Sequence, residues 1–160
     1  MTLALPTTSS ESSDAASLIR VVLADDSATI RTLVRYALGP RQGFSVVAEA
    51  ANGAEALALT DLHHPDCVVL DIGMPGMDGF DVLTQLRIRW PNIPVVILSG
   101  FTDQAVTDRA MARGAAAYLN KSSGMKNLAG TIRRVTTAAS EAISAETRRP
   151  SNNGPFTQRA

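Results

Sequence analysis

Five short apolar runs leave this chain few ways to fold. They are residues 19–23 (IRVVL), 44–48 (FSVVA), 67–70 (CVVL), 94–98 (PVVIL) and 117–119 (AYL). Most are continuous rather than alternating, so both faces of each strand should be buried, as in a parallel sheet with helices on both sides. Helical patterns separate them. Residues 27–38 place Ile30, Leu33, Val34, Ala37 and Leu38 on one stripe, which Gly39-Pro40 closes. A short helix over 54–62 has Ala56, Leu57, Leu59 and Leu62 as its apolar side. Further helices are expected over 80–90, opened by Asp78-Gly79 and closed by Pro91, over 103–113, closed by Gly114, and over 125–145. The strand–helix alternation predicts an α/β fold, a doubly wound five-stranded parallel sheet with right-handed crossovers.

Composition narrows the function classes. At 160 residues the chain suits one domain. Fifteen basic and fifteen acidic residues cancel, which argues against nucleic-acid binding through bulk positive charge. A single cysteine excludes an internal disulfide and a multi-cysteine zinc site. No apolar run approaches the ~18 residues needed to span a bilayer, so no membrane partner is expected. The N-terminus lacks a basic start, so it does not read as a secretory signal. The expectation is a soluble, cytoplasmic protein. Residues 1–17, rich in Ser and Thr, and 146–160, with two prolines and a glycine, read as loose tails around a domain over 18–145.

In sheets of this kind ligands sit beyond the carboxyl ends of the strands. The residues found there are Asp25 and Asp26 after the first run, Asp71 after the third, Ser99 after the fourth and Lys121 after the fifth. Three carboxylates meeting at one edge repel one another unless a cation shares the space. Mg²⁺, which takes oxygen ligands and keeps several waters, suits such a set. A phosphoryl group could sit opposite, neutralised by the metal and Lys121, with a hydrogen bond from Ser99. A carboxylate could itself attack phosphorus to form an aspartyl phosphate.

The segments Val22-Leu23-Ala24-Asp25-Asp26-Ser27, Val69 through Gly79 (VLDIGMPGMDG), Val96-Ile97-Leu98-Ser99-Gly100 and Gly114 through Lys121 (GAAAYLNK) resemble the receiver domain of two-component response regulators. They span the whole structured region in order. The resemblance implies a flavodoxin-like three-layer sandwich with strand order 2-1-3-4-5. It implies that Asp71 accepts a phosphoryl group from a sensor histidine kinase or phosphotransfer protein. Asp25, Asp26 and the Gly73 carbonyl would hold Mg²⁺ with Asp71, and Lys121 would pair with the phosphate. Ser99 would move towards it, Gly100 would leave it room, and Tyr118 would change rotamer, altering the face of helix four, strand five and helix five for a downstream protein partner. A phosphorylation-dependent homodimer is compatible with this. The chain would be a signalling receiver, not an enzyme, and would not itself bind DNA. Service as a phosphorelay intermediate or phosphate sink is the alternative.

Two departures stand out. Ser122 follows the lysine where the family often has a cis proline; receivers of the helix-turn-helix-linked subgroup, which this chain resembles, often lack that proline too, and a Ser122 peptide should be trans, since cis costs ~3 kcal/mol without proline. Gly73 stands where the family usually carries a larger side chain, which should open the phosphoryl face to water and speed self-dephosphorylation. Gly73 also weighs against an aspartyl-phosphate phosphohydrolase of the haloacid dehalogenase type, which needs an acid two residues after its nucleophile. Other residues have plainer readings. Asp25 or Asp26 could cap the first helix, and Asp78 the third. His63 and His64 read as surface loop residues, Cys67 as core filler, Trp90 as a packing residue, Arg133 and Arg134 as a solvated helix face, and Met74 and Met77 as loop packing.

Overall fold

The computed structural model describes residues 17–149. Five strands, β1 (Ile19–Ala24), β2 (Phe44–Ala50), β3 (Cys67–Leu70), β4 (Val95–Ser99) and β5 (Ala117–Asn120), alternate with α1 (Ala28–Ala37), α2 (Gly53–His63), α3 (Gly79–Arg89), α4 (Gln104–Ala112) and α5 (Leu128–Thr147). All pairings are parallel, in the order β2-β1-β3-β4-β5. This is the expected doubly wound, three-layer fold.

The runs of β3, β4 and most of β1 are buried on both faces as their pattern requires, whereas β2 and β5, at the sheet edges, are only half-buried along most of their length. Val22, Ala24, Val68, Leu70, Val95 and Ile97 face one layer with Leu57, Phe80, Leu83 and Leu86. Val21, Leu23, Val69, Val96 and Leu98 face the other with Val34, Leu38, Leu128 and Ile132. Each of these aliphatic strand residues is at most 1% exposed, and burying one is worth about 1.5–3 kcal/mol. Cys67 is fully buried, and burial pushes its thiol up to about 12, so it is the inert core residue expected. Trp90 packs against the first of these layers.

Element ends follow local chemistry. Ser27 caps α1 by accepting from the Ile30 N–H, so neither Asp25 nor Asp26 serves as the cap. Asp78 caps α3 through the Phe80 N–H, as read from the sequence, and Asp103 caps α4. Gly79 is required by close approach. A Cβ there would lie 2.4 Å from the Ile72 Cα, because the loop after β3 returns against its own start.

Several expectations need correcting. Leu33 is 49% exposed and Leu62 is 72% exposed, while Thr60 is buried in the α2 interface instead. Thr60 can be buried because its hydroxyl donates to the Ala56 carbonyl at 2.7 Å. His63 ends α2 rather than lying in a loop, and His64 caps that helix. A 3-10 turn (Met125–Asn127) precedes α5, which then runs through Thr147, two residues beyond the expected boundary at 145. Apart from Ser17, the tail at 1–17 lies outside the described residues, as does 150–160. Among the described residues no helix is long and apolar enough to cross a membrane.

Candidate phosphoryl-acceptor site

Register places the acidic residues. Ala24 is paired with Ala50 on one side and Leu70 on the other. The ladder continues one step past each strand: Asp25 N–H donates to the Ala50 carbonyl at 3.0 Å, and Asp71 N–H donates to the Ala24 carbonyl at 2.9 Å. On the far side of the sheet Lys121 N–H donates to the Ser99 carbonyl at 2.8 Å. Backbone pairing thus fixes the starting point of each side chain before any side-chain interaction forms.

The carboxylates use their oxygens in parallel ways. Asp25 Oδ1 accepts from the Ser27 N–H, and Asp71 Oδ1 accepts from the Gly73 N–H, both at 2.8 Å. These local turns between residue i and i+2 are a natural conformation for aspartate. The second oxygens point at one cation. Lys121 Nζ lies 2.7 Å from Asp25 Oδ2 and 2.8 Å from Asp71 Oδ2. Asp25 and Asp71 are buried and Asp26 is exposed, and one oxygen of each lies within 4.8 Å of the others. Burial works to lower the Lys121 pKa, but hydrogen bonds and charge from Asp25 and Asp71 outweigh it and hold the ammonium above the usual lysine range.

This set fits Mg²⁺. Its donors are hard carboxylate oxygens brought within 4.8 Å of one another from the loops after β1 and β3, and a positive charge already sits between two of them. The exposed Asp26 leaves one flank open to water.

The remaining expected residues divide. Ser99 is fully buried at the end of β4, and its Oγ accepts from the Phe101 N–H at 3.3 Å. Among the described residues no hydrogen bond joins it to Asp71. Nothing lies within 4 Å of a Cβ built on Gly100, so that position is open. Tyr118 is half-buried and its hydroxyl donates to the Phe101 carbonyl at 2.9 Å.

Phe101 was missed by sequence reading. It is 51% exposed and looks like an ordinary loop aromatic. Yet its backbone engages Ser99, Tyr118 and Asn120, and its ring borders Gly73. A Cβ at Gly73 would lie 3.3 Å from Phe101 Cε2 and 3.3 Å from Asp71 Oδ1. The face next to Gly73 is therefore flanked by an aromatic ring as well as being free of a side chain. No local pattern signals this, because Gly73 and Phe101 belong to different strand–helix loops.

All peptide bonds among the described residues are trans, including the one before Ser122. His63 and His64 take no part in the acidic cluster. Arg133 and Arg134 are exposed on α5, as expected, although the Arg133 guanidinium also lies 5.0 Å from the Phe44 ring centroid.

Comparison with known proteins agrees with this geometry. A family model described as the response regulator receiver domain matches residues 21–133. The transcriptional regulatory protein PdtaR of Mycobacterium tuberculosis is 37% identical over 119 residues, covering 74% of this chain and 57% of that one. The chain thus spans little more than half of that relative. The signal receiver domain of the putative response regulator NarL from Mycobacterium tuberculosis aligns with TM-score 0.68 and 35% identity, covering 78% of this chain and 98% of that one. A chain of the CheX–CheY–BeF3–Mg complex from Borrelia burgdorferi aligns with TM-score 0.66 and 27% identity, covering 73% of this chain and 88% of that one. With the fold, the strand-end acidic cluster and the family match in agreement, the chain belongs to the response regulator receiver domains of two-component signalling.

Proposed function

We propose that this chain is a phosphorylation-switched receiver whose acceptor is Asp71. The Asp71 carboxylate attacks phosphorus of a phosphohistidine on a sensor kinase or phosphotransfer protein. The phosphorus–nitrogen bond breaks, an acyl phosphate forms, and the proton needed by the leaving imidazole comes from solvent or the donor. Lys121 is already hydrogen-bonded to the acceptor and neutralises phosphoryl charge with no search of its own. Asp25, Asp26, Asp71 and the Gly73 carbonyl would hold Mg²⁺, which when bound supplies neutralising charge and orients phosphoryl oxygens. Gly100 leaves room for the new group, and Ser99 gives up its bond from Phe101 to reach it. Tyr118 shares the Phe101 carbonyl, so the change passes to the face of α4, β5 and α5, where a downstream partner binds. We assign the receiver to residues 18–145, with α5 running on to Thr147.

The observation that carries this reading is the single ammonium bridging Asp71 and Asp25 at 2.8 and 2.7 Å, with Asp26 alongside. The hydrolase alternative lacks its acid, since the residue two beyond Asp71 is Gly73. Incubation with acetyl phosphate, with and without Mg²⁺, tests the proposal. Mg²⁺-dependent modification at one site, abolished in Asp71→Asn, is expected. Broad turnover of sugar phosphates, or modification that persists in Asp71→Asn, refutes it.

A further inference from the structure

We propose that Asn120 is a positioning residue for phosphoryl transfer, acting as an amide strut between the loop that carries Lys121 and the loop that follows Ser99. The proposal deepens the receiver reading and rests on it.

Asn120 is the last residue of β5, next to Lys121. Its Oδ1 accepts from the Ser122 N–H at 2.8 Å and from the Ser122 hydroxyl, and its Nδ2 donates to the Phe101 carbonyl at 3.3 Å. The orientation of the amide is fixed by its partners. A backbone N–H can only donate and a backbone carbonyl can only accept, so the oxygen must face Ser122 and the nitrogen Phe101. The side chain therefore grips the residue after Lys121 with one end and the residue two beyond Ser99 with the other.

Few residues could do this. Aspartate keeps the acceptor and loses the donor; leucine has neither. Ser122 matches Asn120 from the other side, since it supplies both an N–H and a hydroxyl, whereas proline has no N–H to give. Lys121 is anchored upstream by its own N–H to the Ser99 carbonyl. The Asn120–Ser122 pair anchors the backbone immediately downstream, so the lysine stem leaves a backbone held on both sides. The same amide shares the Phe101 carbonyl with the Tyr118 hydroxyl. Cutting the strut should leave the three aspartates in place while loosening the one ammonium that must meet the phosphoryl group.

The test measures Asp71 phosphorylation by acetyl phosphate across a Mg²⁺ titration for the parent, Asn120→Ala, Asn120→Asp, Ser122→Ala and the Asn120→Ala/Ser122→Ala double variant. Asn120→Ala should lower the maximal rate roughly three- to tenfold, the size expected from lost single hydrogen bonds, while the Mg²⁺ concentration giving half-maximal rate moves less than about twofold. The isosteric Asn120→Asp, which keeps the bonds to Ser122, should fall between Asn120→Ala and the parent. Ser122→Ala should slow the parent but have no further effect once Asn120 is alanine, because its hydroxyl acts through that side chain. A maximal rate in Asn120→Ala within about twofold of the parent, or additive losses in the double variant, overturns the proposal. A parent that takes no phosphoryl group at all overturns the receiver reading itself, and this inference with it.

Discussion

The two helices that flank β5 are attached to the molecule by different chemistry. From α5, Leu128, Ile132 and Val135 are buried in one cluster with β-strand residues such as Val96 and Leu98, and Thr131 is buried as well. From α4, only Ala110 is buried, with Val106 partly so, and Met111 is 45% exposed. Polar contacts with α3 replace the missing aliphatic surface. The Arg109 guanidinium stacks 3.9 Å from the Phe80 ring centroid, and Arg113, just past α4, donates to the Phe80 carbonyl at 3.3 Å and to Thr84 at 3.2 Å. Aliphatic burial favours one close-packed arrangement and loses energy steeply when displaced. A cation over an aromatic ring is worth about 0.5–1 kcal/mol when exposed and tolerates sliding. The lesson is that α5 is fastened as a wall by aliphatic burial, whereas α4 is fastened chiefly by arginine contacts to α3, on the side where Phe101 and Tyr118 meet.

Truncating the wall should give the largest effect. Ile132→Ala removes a fully buried side chain and should cost about 2–5 kcal/mol in urea unfolding, whereas Val106→Ala in α4 should cost under ~1.5 kcal/mol. Equal losses at the two sites would erase the contrast.

Next in size is the alkaline behaviour of the ammonium that joins the two halves of the site. Lys121 has a raised folded-state pKa, through its contacts with Asp25 and Asp71 prevailing over burial. Its contribution is therefore fully present below the unfolded value of about 10.4 and disappears as pH rises through the higher folded value. The parent should lose urea stability above about pH 10 more steeply than Lys121→Met. Taking the difference between the two cancels the Cys67 thiol, whose own rise to about 12 also lowers stability at alkaline pH.

A smaller effect should come from Arg109→Ala combined with Arg113→Ala. Hydrogen exchange should quicken through α4 and stay unchanged in the first half of α5, with global stability lowered by only about 1–2 kcal/mol. Quickened exchange in both helices would mean that α4 is not independently held.

The smallest should come from Gly73→Asn. The new side chain must displace the Phe101 ring or crowd Asp71, given its 3.3 Å contacts with both. It should lengthen the acyl-phosphate lifetime and shift amide resonances in the loop before α4, leaving 128–135 unaltered. An unchanged or shorter lifetime would remove the idea that the bare glycine hastens hydrolysis.

Much of the fold could be read directly, and for a local reason. Continuous runs such as CVVL and PVVIL point to burial on both faces, and with the other short runs separated by helical stripes they leave a parallel sheet as the solution. Parallel pairing then carries Asp25, Asp71 and Lys121 to one edge, because each directly follows its strand. The stripes were less reliable at their margins. Leu33 and Leu62 have the right spacing yet face solvent, since the width of a helix's buried face depends on how closely its neighbours approach.

The residue order alone therefore dictated the layers and which side chains follow each strand, since hydrophobic period is a property of neighbouring residues; the strand order was implied by the family resemblance and not by the period. Folding in three dimensions settled which oxygen of Asp25 and Asp71 meets Lys121, why the Phe101 carbonyl gathers Tyr118 and Asn120, and how α4 comes to be fastened by arginines. Those pairings join residues from 17 positions apart, for Tyr118 and Phe101, to 96 apart, for Lys121 and Asp25. Directional hydrogen bonds between such distant groups take their partners only from loop paths and inter-strand register, neither of which a local pattern contains.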